Sequence, residues 1–135
     1  MKGTIKMLEV LPIQDKTLQE SVSLRCGVNY DPDLMAYAAY VDGKLVGICQ
    51  FTMKEDGGRI VDLANVTDVT DTQALFVMGR AALNFIDLCG VHSAKCESDN
   101  IDETLLRAVG FSKNPDGIYE IDLAHFFEHP CSHNK

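Results

Sequence analysis

The residues of this 135-residue chain whose types suit proton or group-transfer chemistry fall in three places. Asp62 interrupts the otherwise apolar run Arg59 to Val66 (RIVDLANV), where a carboxylate can take a proton from a substrate directly or through water. The alternative for Asp62 is a solvated strand residue paired with Arg59 or a cross-strand lysine. Cys96 ends a short candidate strand and is a candidate thiol nucleophile, but its neighbour Glu97 raises a thiol pKa and so works against thiolate chemistry. The third place is HFFEHPCSHNK, where His125, Glu128, His129, Cys131 and His133 offer enough imidazole and thiolate for tetrahedral zinc. Pro130 breaks the helical spacing that would preorganise the first pair. No metal is therefore assigned, and the segment is expected to pack Phe126 and Phe127 onto the core.

Composition narrows what such residues serve. A mass of 14.9 kDa suits one domain, and 46% hydrophobic with 24% charged residues is the balance of a folded globule. Lys and Arg number 12 against 20 Asp and Glu, a net charge of −8, so phosphate backbones and anionic membranes are repelled. No nucleic acid and no membrane are expected as partners. No apolar run approaches the ~20 residues of a membrane span, and MKGTIKMLEVLPIQDK lacks the separated regions of a secretory signal. The expected location is cytosolic. The cysteines Cys26, Cys49, Cys89, Cys96 and Cys131 are odd in number and lack C-x-x-C spacing. Three lie in apolar runs, which predicts reduced and mostly buried thiols.

The elements that must position these residues read as follows. Thr4 to Val10 alternates weakly up to Pro12 and predicts an edge strand. Asp15 and the Thr17-Leu-Gln-Glu20 capping box open a helix with Leu18, Val22 and Cys26 at four-residue spacing. Met35 to Val41 and Leu45 to Met53 flank Asp42-Gly43, a pair that favours a primed hairpin turn, and Arg59 to Val66 adds a third antiparallel strand. Asp71 to Cys89 reads as a helix buried nearly all round, with Arg80, Asn84 and Asp87 on its polar stripe and Gly90 as its stop. Val91 to Cys96 is a short strand. Asn100 with Glu103 opens a helix closed by Gly110, and Ile118 to Leu123 is the last strand. The expected organisation is an α/β (α+β) domain over 1–123 followed by a tail over 124–135.

This order, together with Val41-Asp-Gly-Lys-Leu-Val-Gly47 and with Ser98-Asp99-Asn100 running to Val109-Gly110-Phe111, resembles the GNAT superfamily of acyl-coenzyme A-dependent N-acyltransferases. The resemblance implies a mixed, mostly antiparallel sheet with helices on both faces and two splayed central strands, Arg59 to Val66 and Val91 to Cys96. It implies acyl transfer from an acyl-CoA such as acetyl-CoA to a small amine, with Asp62 and Cys96 as the catalytic candidates. The pantetheine arm would run along the backbone of Leu63, Ala64, Asn65 and Val66, read as an added strand would be. The pyrophosphate would sit at Thr70, Asp71, Thr72 and Gln73, where a helix begins. Asn100 would flank the notch from the following helix, and a second copy of the chain is a candidate partner.

Two positions depart from the family's pattern. Its Arg- and Gly-rich phosphate loop is Asp68-Val-Thr-Asp-Thr-Gln73 here, with two carboxylates, no base and no glycine. Such a stretch also reads as a simple helix cap. Its tyrosine acid, four residues before the Gly-Phe pair, is Leu106, which donates no proton; Cys96 or Tyr119 would have to supply one. The second function class is therefore a non-catalytic binding module that keeps the notch and has lost the phosphate loop.

Overall fold

The computed structural model describes residues 6–127. β1 (Leu8–Ile13) leads into α1 (Lys16–Arg25), which starts where the Asp15 carboxylate accepts from the Thr17 and Leu18 amides at 2.8 and 3.4 Å. β2 (Met35–Val41), β3 (Lys44–Lys54) and β4 (Gly57–Asn65) form the expected antiparallel meander. Its first turn places both Asp42 and Gly43 at positive φ, 52° and 83°, as the primed geometry requires. α2 (Thr72–Leu88), β5 (Ser93–Cys96), α3 (Glu103–Val109), β6 (Ser112–Lys113) and β7 (Tyr119–Asp122) follow.

The sheet order is β1-β2-β3-β4-β5-β7-β6, antiparallel throughout except between β4 and β5. α1 covers one face over Ile13, Ala36, Ala38 and Ile48, while α2 and α3 cover the other over Cys49, Phe51, Ile60 and Leu63. This is the mixed, mostly antiparallel sheet with helices on both faces that the resemblance implies. β4 and β5 share only the pairs Gly58↔Ala94 and Arg59↔Lys95, and then separate. The two central strands are splayed, and the edge of β4 from Ile60 onward is left open toward β5.

Several boundaries and faces differ from expectation. The first strand is Leu8–Ile13 and runs through Pro12, which an edge strand tolerates because one row of its amides faces away from the ladder. On α1 the buried face is Gln19, Val22, Ser23 and Cys26, and Leu18 stays 44% exposed. α3 is capped by Asp102, whose carboxylate accepts from the Leu105 amide at 3.2 Å, so Asn100 lies before the helix and does not open it. β5 starts at Ser93 because Val91 and His92 still belong to the turn after α2, where the Val91 amide donates to Ile86 O at 3.2 Å. On α2, Met78, Ala82 and Ile86 are buried as expected, but Leu75, Val77 and Phe85 are only half-buried. Arg80 leaves the solvent stripe: its Nε donates to Val109 O at 2.6 Å, and its guanidinium lies 4.8 Å from both the Phe76 and Phe126 ring centres. Phe126 and Phe127 pack against the core as expected. Glu128, His129, Cys131 and His133, and with them the metal question, lie outside the described residues. No helix among the described residues is long and apolar enough to cross a membrane.

Candidate active site

The site is built on a β-bulge. Gln50 pairs with Asp62 but Phe51 pairs with Ile60, so Val61 is an extra residue on β4. Without it, Ile60 and Asp62 would share one face of the strand. With it, Ile60 and Leu63 face α2, whereas Asp62 and Ala64 face α1. The slip thus places the carboxylate on the α1 side of the sheet, where the strands have parted.

Asp62 is half-buried, and burial pushes its pKa up from 3.8, against a smaller downward pull from the hydrogen bond that Gln50 Nε2 donates to Oδ2 at 2.7 Å. It lines a cavity of about 380 Å³ together with Leu63, Ala64, Asn100 and the Cys26 to Asn29 corner after α1. A second cavity of about 510 Å³ is lined by the preceding β4 residues Arg59, Ile60 and Val61, by Lys54, and by Asp31, Asp33, Glu97 and Ser98. Four of the residues singled out in the sequence, Asp62, Leu63, Ala64 and Asn100, are therefore brought together around the parted strands.

The open edge of β4 offers amides to an extended ligand. The Val66 amide donates to Val46 O at 2.9 Å, and Ala64 and Asp62 pair with Ile48 and Gln50. Alternation then turns the Leu63 and Asn65 amides toward the notch. A pantetheine arm, with its two amide groups, fits such an edge.

The loop expected to meet the phosphates is tied to β3 and α1. The Val66, Thr67, Val69 and Asp71 amides are donated to Val46 O, Arg25 O, Val66 O and Asn65 Oδ1. The Asn65 side-chain Nδ2 donates to Val46 O and Asp71 O at 3.0 and 3.3 Å, and Asp71 caps α2 by accepting from the Ala74 amide at 3.0 Å. These four amides are taken up by protein acceptors, and Asp68 stands at a positive φ of 71°, which aspartate tolerates better than most residues. None of Thr70, Asp71, Thr72 and Gln73 lines the Asp62 cavity.

Cys96 faces the α2 side, opposite to Asp62, and is 2% exposed. Burial pushes its thiol pKa up from 9.0; the Ser98 amide opposes this, while Glu97 and Asp62 add to it. It is a protonated thiol at neutral pH and so a poor nucleophile. It shares a third cavity, about 350 Å³, with Leu106 and Tyr119. The Tyr119 hydroxyl accepts from Arg107 Nη2 at 3.3 Å.

No family model matches the sequence, and no curated protein matches it at a significant level. Solved structures do match. The chain superposes on a GNAT-family protein from Desulfovibrio desulfuricans with TM-score 0.65 at 13% identity, covering 87% of this chain and 100% of that one. The chain has the GNAT fold. A Bacillus subtilis acetyltransferase in complex with CoA matches with TM-score 0.63 at 13% identity over 88% of this chain and 99% of the other. The ribosomal-protein-S18-alanine N-acetyltransferase of Escherichia coli matches at 0.62 and 12%, over 88% and 94%. In this GNAT fold the sequence reading missed Gln50, Gln19 and Ser23, each 0% exposed. The available signal was a glutamine inside LVGICQFTM, a run otherwise suited to a buried strand.

Proposed function

We propose that this chain is an N-acyltransferase in which a small amine attacks the thioester of an acyl-CoA lying along the open edge of β4. The observation that carries the reading is Asp62: a half-buried carboxylate, raised in pKa, facing a cavity where the central strands part. Asp62 accepts the proton that the amine loses, directly or through water, as the nitrogen bonds to the acyl carbon and the carbon–sulfur bond breaks. The departing thiolate takes a proton. That proton comes from solvent, because Cys96 lies on the opposite face of the sheet from Asp62 and burial makes its thiol a weaker acid as well as a poor nucleophile. The second cavity carries Asp31, Asp33 and Glu97 against Lys54 and Arg59, with Glu97 paired to Arg59 at 3.4 Å, so Asp31 and Asp33 are the carboxylates left to meet an amine. Acetyl-CoA is the simplest donor to test. The unbridged Cys26, Cys49, Cys89 and Cys96 suit a reducing cytosol.

The rival reading is a binding module without turnover. Two observations favour it: the Val66, Thr67, Val69 and Asp71 amides are already bonded within the protein, and Leu106, 1% exposed, stands where the resemblance places the family's tyrosine acid. Calorimetric titration with acetyl-CoA followed by thiol-release assays over a panel of primary amines separates the two. Binding with turnover that Asp62→Asn lowers about 10²-fold or more supports the enzyme. Binding without turnover of any amine supports the module, and absence of binding at millimolar ligand removes acyl-CoA from both.

A further inference from the structure

A glutamine in the middle of a buried strand is costly unless each of its polar atoms is bonded. Gln50 meets that condition with partners from three elements. Its Nε2 donates to Asp62 Oδ2 at 2.7 Å and to Asn29 O at 2.8 Å. Its Oε1 accepts from Gln19 Nε2 at 2.9 Å and from Ser23 Oγ at 3.3 Å, both on α1. Gln19 Nε2 on one side and the acceptors Asp62 Oδ2 and Asn29 O on the other fix the amide's direction, because a flipped amide would set donor against donor and acceptor against acceptor. Gln19 is held in turn: its Nε2 also reaches Leu34 O at 3.2 Å, and its Oε1 accepts from Lys16 Nζ at 2.9 Å. A line of bonded side chains therefore runs from Lys16 at the start of α1 to the carboxylate in the notch.

We infer that Gln50 is a positioning residue that keeps Asp62 ionised and aimed, and that through Asn29 it ties the cavity's wall to the same carboxylate. The inference rests on Asp62 being the base of the proposed acyl transfer. The titratable groups near Asp62 are the thiols of Cys49 on β3, Cys96 on β5 and Cys26 after α1. Burial holds all three thiols high and uncharged, so none of them stabilises the carboxylate. The bond from Gln50 is the interaction that opposes burial, and an ionised acceptor makes it a strong one. Remove it, and Asp62 holds its proton to higher pH and stops accepting one from the amine.

The test uses the full chain carrying Gln50→Met and, separately, the equal-sized Gln50→Glu, with Asp62→Asn to assign the Asp62 carboxyl carbon signal by NMR. In Gln50→Met the Asp62 titration moves to higher pH. In Gln50→Glu two carboxyls face one another and titrate jointly, with one step well above the parent's. A folded variant of either kind with Asp62 titrating at the parent's pH overturns the inference, and Gln50→Glu decides the matter should Gln50→Met not fold. In thiol-release assays with acetyl-CoA and a primary amine, the acidic limb of kcat/KM moves with the NMR midpoint, which a purely structural role for Gln50 would not produce. A parent that turns over no amine refutes the acyl-transfer reading, while the carboxyl titration still decides whether Gln50 governs Asp62.

Discussion

Replacing both Asp68 and Asp71 with asparagine tests where a bound pyrophosphate would lie, and the structure fixes what the change leaves alone. Asparagine at 71 keeps an oxygen able to accept from the Ala74 amide, now bonded at 3.0 Å, so α2 keeps its cap. Asparagine at 68 tolerates the positive φ of 71° as well as aspartate does. Two negative charges disappear from the start of α2. If two phosphate charges sit about one Debye length away, ~10 Å, each unit pair costs about 0.4 kcal/mol in water-like surroundings. Four such pairs amount to roughly 1.7 kcal/mol, more than tenfold in Kd at low salt. At about 0.1 M salt, screening cuts this to about 0.6 kcal/mol, or about threefold. Calorimetry with acetyl-CoA across a salt series reads both figures, and circular dichroism checks that the fold is unchanged. Should the parent bind and the double variant gain nothing at low salt, the phosphates are held elsewhere and the electrostatic reasoning is wrong.

Asp62→Asn is expected to cost about 10²- to 10⁴-fold in turnover with a thiol-release assay. Because folding raises the Asp62 pKa above 3.8, this group's contribution to stability is complete below that value and is lost as pH rises through the folded-state pKa. The variant should therefore melt higher than the parent at neutral pH, with the difference closing in acid; a lower melting point at neutral pH would sink the sign. Arg80→Met loses the bond to Val109 O and both ring contacts, and urea unfolding should report a loss of roughly 2–3 kcal/mol. Phe85 is half-buried and meets Phe51 edge-on at 5.9 Å, so Phe85→Ala should cost about 2 kcal/mol, less than a fully packed ring. A near-neutral result would mean that its ring contributes no packing.

The meander was legible because its signals are local: Asp42-Gly43 has one favoured turn geometry, and the runs on either side are short and apolar. α2 was legible through its apolar length, but Arg80 was misplaced on the solvent stripe because its partners, Val109 and Phe126, come from distant segments. The site was half legible. Asp62 stood out as a charge in an apolar run, yet the Val61 bulge that decides which face it takes depends on the register with β3. The Gln19–Ser23–Gln50 cluster joins residues 27 and 31 positions apart, and hydropathy patterning treats all three as surface residues. β6, two residues long, carries no periodic signal at all.

The central claim is that an acyl-CoA lies along the open edge of β4 beside Asp62. It is tested most directly by titrating isotope-labelled protein with acetyl-CoA and following backbone amide shifts. The largest changes are expected at Leu63 and Asn65, with Asn100 shifting across the notch, at the same ligand concentrations that calorimetry reports for binding. Changes confined to other strands, or none at millimolar ligand, would contradict it.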